Sequence, residues 1–278
     1  MTEVKGIMIS KLYPNGKPKA FNATYDDGVL QDVRFVDLLN KYHLKGTFNL
    51  NSGLMEKEFE WVHEKGFVVK RLSKDKAISL YQGHEVACHT LTHPYMDHLS
   101  EAESLYELQA DKKNLEKLFG REIRGFAVPF EYYSELIENC VKQSGFSYAR
   151  ISEESRSFTP QKDYYKWKTT IFHTVDSLVD IVQQFMDTDE ELALLQIVGH
   201  SYDLDAENMW DKMESVFLRI ASQNDILPMT TIELIEYLQA MDQAEITDRY
   251  IQNNSVISLW FSINGVPCEV KPMESIEL

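Results

Sequence analysis

Short apolar runs of strand length alternate with amphipathic helical stretches along most of this chain, and that alternation restricts the fold more than any other feature. Residues 19–24 read as a strand, and Val29, Val33, Val36 and Leu39 then recur at helical spacing on one face. Gly46–Leu50 and Glu85–Cys88 read as the next strands. Ser100 and Glu103 form a capping box for a helix carrying Leu105, Leu108, Leu115 and Leu118, and Gly120 stops it. A strand over 123–128, a helix from Ser134 to Gly145, and strands over 146–150, 193–198 and 226–229 complete the series. Thr230 and Glu233 cap its last helix, which turns Ile235, Leu238 and Met241 inward. Repeated strand–helix units predict a parallel sheet with helices outside. The expected fold class is α/β: an irregular (β/α)7-type barrel over residues 1–242, with its chemistry at the carboxyl ends of the strands. After residue 243 the pattern changes. Runs over 255–263 and 267–271 around Gly265 predict a short C-terminal β appendage (243–278), packed on the barrel or used in a subunit contact.

The 278 residues suit one catalytic unit plus a tail, and 44% hydrophobic content with 8 prolines and 12 glycines is globular. No apolar run reaches the ~18–20 residues that span a bilayer. No basic region followed by an apolar core opens the chain, so no signal peptide is visible and a cytoplasmic location is expected. Three widely spaced cysteines, Cys88, Cys140 and Cys268, form no disulfide framework. The formal charge of −16 is concentrated in residues 176–248, where seventeen Asp and Glu face only Lys212 and Arg219. Such a surface repels phosphate backbones and anionic headgroups, so neither nucleic acid nor membrane is an expected partner. A neutral or cationic substrate is accommodated more easily.

Two motifs carry chemistry. Thr24-Tyr25-Asp26-Asp27-Gly28 closes the first strand, and adjacent carboxylates persist there when a cation or proton separates their roles. Taken alone, the same residues also suit a plain turn. His89-Thr-Leu-Thr-His93-Pro94 follows another strand, and a spacing of four lets both imidazoles converge on one ion. Pro94 disfavours helix at His93, so a turn is expected. A catalytic zinc takes three protein ligands and keeps one position open. Cys88 beside His89 should point away from the site by strand alternation.

Together, in this order and about sixty residues apart, these motifs resemble the polysaccharide deacetylase pattern (NodB homology domain, carbohydrate esterase family 4) over residues 19–241. The resemblance implies that Asp26 is the general base and that Asp27, His89 and His93 hold a divalent metal, zinc foremost, with cobalt, manganese or nickel as alternatives. The family's Arg-x-Pro-Tyr/Phe-Gly is matched by Ala127-Val128-Pro129-Phe130-Glu131, which keeps the proline and the aromatic but loses the Arg and the Gly. The Phe130 N–H can still serve an oxyanion, since a backbone donor does not depend on the side chain. Arg150, on the next strand, is the candidate replacement for the missing guanidinium, with a surface role as the alternative. The family's aromatic stretch is similar to Asp163-Tyr-Tyr-Lys-Trp167, which makes Trp167 either an apolar wall for the acyl methyl or a core residue. Tyr25 and Pro129 are further expected substrate contacts. His200, in Gln196-Ile-Val-Gly-His200, corresponds to the general acid, with Asp203 or Asp205 tuning it or capping the next helix. His173 is a weaker candidate for the cleft wall.

The implied activity is removal of N-acetyl groups from a sugar or oligosaccharide, in a protein that could self-associate through its tail. An O-acetyl esterase, an amidase for non-sugar amides, and a carbohydrate-binding protein without turnover are the alternatives.

Overall fold

Within each strand, side chains alternate between the two faces of the sheet, and here that alternation separates a polar lumen from an apolar exterior. A computed structural model describes residues 2–4, 6–55 and 60–278. Its main sheet is parallel throughout, in the order Trp167–Thr169, Tyr148–Glu154, Gly125–Ala127, Glu85–Cys88, Gly46–Leu50, Lys19–Asp26, Ala193–Gly199 and Ile171–Phe172. The first and last of these are separated by Thr170 alone, whose N–H bonds to the Gln196 carbonyl at 3.0 Å. The sheet therefore closes on itself as an irregular barrel of seven staves. Ile226–Pro228 pairs alongside Lys19–Phe21, ahead of the point where Gly46–Leu50 joins the same edge at Ala23.

Phe21, Ala23, Tyr25, Phe48, Leu50, Val86, Cys88, Phe126, Leu195 and Ile197 point outward into one apolar cluster shared with the surrounding helices. The lumen is polar. At its amino end Glu85 accepts from Thr47 Oγ1 (2.9 Å), Tyr148 OH (2.9 Å) and the Ile232 N–H (2.8 Å), while Gln196 Nε2 donates to Asn22 (2.8 Å). At its carboxyl end Asn49 Nδ2 donates to Thr24 (2.9 Å) and to Asp26 Oδ1 (2.8 Å).

Burial pushes the Glu85 carboxyl up to about 7, against three bonds that favour the anion. A carboxyl raised on folding binds protons the unfolded chain has released, so it lowers stability as pH rises from about 4.5 toward 7. Glu85→Gln removes that dependence. In urea unfolding the variant should gain on the wild type between pH 5 and 8, by on the order of 3 kcal/mol. An unchanged difference across that range rules out a protonated Glu85.

Both capping boxes read from the sequence are present, at Ser100/Glu103 and Thr230/Glu233. Gly120 ends the helix Glu101–Phe119 with φ 64°, a left-handed conformation in which glycine carries no side-chain penalty. One expected helix face is corrected. The helix Asp32–Lys41 begins after Val29, buries Phe35, Val36, Leu38 and Leu39, and leaves Val33 41% exposed. The helices Leu178–Asp187 and Trp210–Ala221, the two-part stave Trp167–Phe172, and a hairpin of Glu60–Val62 with Val68–Lys70 were not expected.

The appendage draws on both chain ends. Ile7–Leu12 pairs antiparallel with Leu259–Ile263, which pairs with Val266–Val270 across the Gly265 turn. Ile9, Leu259, Phe261 and Val270 pack with the helix Thr231–Met241 and with Tyr148 and Trp167, under the amino ends of the staves. Tyr237 OH donates to the Leu12 carbonyl at 2.5 Å, tying that helix to the added sheet. Among the described residues no helix is long and apolar enough to cross a membrane.

Candidate active site

At the carboxyl end of the barrel the staves deliver acidic and imidazole side chains to one cavity of about 580 Å³. Asp26 is the last residue of its strand and points into the lumen; Asp27 follows with its N–H bonded to the Asn49 carbonyl at 3.0 Å. Gly28 has φ 64°, and a Cβ there would meet Leu50 Cδ2 at 2.8 Å, so the motif's glycine is required by both backbone and packing. His89 leaves the strand Glu85–Cys88, and its Nδ1 bonds to the Ala127 carbonyl at 2.8 Å, which directs Nε2 into the cavity. His93 lies in a turn, not a helix, held by its N–H on Thr90 Oγ1 at 3.1 Å. Ligand atoms of Asp27, His89 and His93 all lie within 4.8 Å of one another.

Asp27, Thr90, His93 and Phe130 have φ of 85°, 68°, 56° and 58°, all at this end of the barrel. Such backbone costs about 1–3 kcal/mol per residue and persists where surrounding contacts enforce it. At Asp27 the enforcing group is Arg71. Its guanidinium bonds to the Asp27 main-chain carbonyl and to Asn51 Oδ1 (2.7 Å), and places Nη2 2.9 Å from Asp27 Oδ1. Tyr202 OH donates to Asp27 Oδ2 at 3.2 Å, and its ring stacks on His200 at 4.9 Å. Sequence reasoning missed both residues. Arg71 belongs to no motif, and Tyr202 carries no spacing signal beyond its nearness to His200.

The three donors suit a divalent ion. Asp27 Oδ1 is buried and accepts no hydrogen bond among the described residues, despite the guanidinium beside it. Burial pushes His89 down to about 4 and lowers His93 as well, so both imidazoles are neutral near pH 7, as ligation requires. Burial alone would raise Asp27, but Arg71 and then His200 outweigh it and hold the carboxylate well below its usual range.

Asp26 has a different partner. Arg150 Nη2 lies 2.5 Å from Asp26 Oδ2, with both side chains under a tenth exposed. Against burial, Arg150 foremost and then His200 keep Asp26 ionised. The strand reaches past Arg150 to Glu154, and Arg150 is the register partner of Ala127 on the neighbouring strand. The guanidinium therefore enters the lumen one stave along from the position that the motif assigns to it.

Across the cavity, His200 follows the strand Ala193–Gly199, with Nδ1 3.0 Å from Asp203 Oδ2. Burial opposes its charge, but the Asp203 bond, Asp27 and Asp26 prevail and push it up to about 9. His173 sits behind, fully buried, 2.6 Å from Tyr25 OH and 3.3 Å from Asp203. Gly199 makes room for it, since a Cβ there would lie 2.4 Å from the His173 ring. Asp205 bonds to Trp210 and Gln31 instead of His200.

Three expected substrate contacts lie outside the cavity wall, which is built from Tyr95, Val128, Phe130, Phe172 and Tyr202 among others. Trp167 is fully buried in the lumen, its indole N–H on Gln196 Oε1 at 2.7 Å. Tyr25 precedes an inward Asp26, so alternation sends it outward against Phe35. Pro129 is buried. Cys88 is likewise outward and buried, its thiol raised well above its ordinary value by burial.

Residues 14–149 match the family model for polysaccharide deacetylase. Over that stretch the chain is similar to the polysaccharide deacetylase family. A Mycobacterium smegmatis protein described as a polysaccharide deacetylase has a similar structure at 13% identity and TM-score 0.59, over 86% of this chain and 96% of that one. The peptidoglycan deacetylase PdaC from Bacillus subtilis is similar at 18% identity and TM-score 0.53, over 83% and 96%. Streptococcus pyogenes deacetylase PplD, solved with acetate, aligns at 21% identity and TM-score 0.41 over 47% of this chain, which spans 55% of that one. At these identities the likeness is one of fold. No curated protein matches in sequence.

Proposed function

We propose that this protein is a metal-dependent hydrolase that releases acetate from an N-acetylated carbohydrate. The observation that carries the reading is convergence. One cavity holds the donor set Asp27, His89 and His93, an arginine-braced Asp26, and His200 paired with Asp203. Two imidazoles and one carboxylate with an open side suit zinc. Such an ion, when bound, polarises a carbonyl oxygen and lowers the pKa of a coordinated water toward ~7.

The chain's own residues handle the protons. Asp26, ionised and oriented by Arg150 and Asn49, takes a proton from water as its oxygen adds to the acetyl carbon. The Phe130 N–H donates to the oxyanion that develops there, a contact whose loss typically costs ~10²–10³ in rate. His200, protonated at neutral pH, gives its proton to the amide nitrogen as the C–N bond breaks. Acetic acid and an amine leave, the acid passing its proton to solvent or to the amine as acetate forms, and the proton on Asp26 returns to His200 through solvent. Arg71 and Tyr202 hold Asp27 and are positioning residues.

The test combines metal analysis of the purified protein with acetate release from N-acetyl sugars of increasing length and from aryl acetates. One bound metal per chain and acetate from N-acetyl sugars are expected. Bound metal without any acetate release overturns the hydrolase reading and favours carbohydrate binding without turnover. Release from aryl acetates alone overturns the sugar amide.

A further inference from the structure

One oxygen of Asp203 meets two imidazoles. His200 Nδ1 lies 3.0 Å from Asp203 Oδ2, and His173 Nε2 lies 3.3 Å from the same atom. Of the two rings only His200 lines the main cavity. His173 has no exposed surface, and its backbone N–H is fixed on the Val198 carbonyl at 2.9 Å. It makes no proton transfer in the proposed reaction, yet a buried imidazole is costly unless both ring nitrogens find partners.

Those partners fix its tautomer. Burial foremost holds the His173 ring neutral, so one nitrogen carries a proton and the other accepts one. Against burial, the bonds from His173 and His200 keep Asp203 ionised, and a carboxylate can only accept. The His173 proton therefore sits on Nε2 and points at Asp203. Nδ1 is left as an acceptor, and Tyr25 OH donates to it at 2.6 Å. The strand Ala193–Gly199 lies between the staves that carry Tyr25 and His173, and Gly199 is the register partner of Tyr25. A Cβ on Gly199 would lie 2.4 Å from the His173 ring, so its absence lets phenol and imidazole touch across the intervening stave.

Asp203 also borders a second cavity of about 490 Å³, beyond Tyr202. A single bond to His200 would leave its carboxylate free to turn toward that water; the bond from His173 removes the freedom.

We propose that His173 is a positioning residue: held by Tyr25, its Nε2–H anchors Asp203 beneath His200 and so aims the His200 Nε2 proton at the departing nitrogen. The inference rests on the proposed deacetylase activity, in which an amide nitrogen needs a proton before its C–N bond breaks. Once His200 has given up the Nε2 proton it is neutral and keeps the proton on Nδ1. That is the tautomer an anchored Asp203 stabilises.

The test compares turnover of an N-acetylglucosamine tetramer with that of para-nitrophenyl acetate, whose phenolate leaves without a proton. His173→Leu should lower kcat on the sugar amide about 100-fold, with KM and the ester rate each changed less than about threefold. Tyr25→Phe, which keeps the ring against Phe35, should lower amide kcat about tenfold. His173→Gln carries an acceptor and a donor on one planar group and should recover about tenfold over His173→Leu. Equal losses on amide and ester, or an unchanged amide kcat, overturn the proposal. Imidazole nitrogen NMR gives a readout without turnover. His173 should carry its proton on Nε2. His200, above its pKa of about 9, should carry its proton on Nδ1 in the wild type and mainly on Nε2 in His173→Leu. If the tetramer yields no acetate, the deacetylase reading fails and the spectra alone decide. The expected tautomers then support the anchor; a His173 proton on Nδ1, or a His200 tautomer indifferent to His173→Leu, overturns it.

Discussion

His93→Ala is expected to leave a folded protein that no longer retains metal and no longer releases acetate. The side chain is 20% exposed and bears no buried charge, so its removal is mild for the fold. It nonetheless takes one of three donors from a set whose ligand atoms span 4.8 Å. A four-ligand structural zinc site is worth ~10–16 kcal/mol in apparent binding free energy, so each ligand carries roughly 10²–10³-fold in affinity. After dialysis, metal content should fall from one per chain to near zero. Asp27→Ala is a poorer choice, because it strands Arg71 beside an empty space at a cost of about 3–5 kcal/mol. Arg71→Met separates ligation from support: with all three donors present, losing their outer partner should weaken metal binding about 10–100-fold. Stoichiometric metal retained by His93→Ala would falsify the ligand set.

Arg150→Ala should lower acetate release by about 10²–10³ while metal content stays at one per chain, since Asp26 loses both its orientation and its counter-charge. Arg150 leads the influences that hold Asp26 below its ordinary value, so its removal raises the base's pKa. The acidic limb of kcat/KM should therefore move to higher pH, because the base must be deprotonated to act. Stability falls as well, by about 3–5 kcal/mol for a buried carboxylate left unpaired. The decisive variant adds Ala127→Arg. Ala127 and Arg150 are register partners on adjacent parallel strands, and both face the lumen. A guanidinium returned from the neighbouring stave into the vacated volume should recover at least tenfold. Arg150→Ala with turnover within twofold of wild type removes Arg150 from the reaction.

Much of the fold was legible because its signals are local. Gly46–Leu50 and Glu85–Cys88 coincide with their apolar runs, and both Ser/Thr-to-Glu capping boxes close as read. Strand ends were less legible: the first stave continues through Asp26 and the fifth through Glu154, because pairing with neighbours prolongs both. The stave Trp167–Phe172 was missed because it divides its pairing between two neighbours and changes partner at Thr170, leaving each half too short to show a pattern. Val33 was misplaced because a period of 3.6 allows more than one apolar stripe, and only the docked helix selects one.

The site divides along the same line. Sequence alone picked out the residues that the fold gathers: Asp26, Asp27, His89, His93 and His200 reach one cavity because each sits at or just past the carboxyl end of a strand, and parallel staves bring those ends together. Tertiary structure decided what stands behind them, selecting Arg150 and Asp203 from the alternatives the sequence offered and adding Arg71 and the His173 contact. Arg71 on Asp27, Arg150 on Asp26 from the stave beside the expected one, and Asp203 shared by His200 and His173 are contacts across 44, 124 and 30 positions. A motif records residue type at fixed spacing, whereas a supporting charge needs only to arrive at the right point in space. The closed barrel lets a guanidinium arrive there from more than one stave.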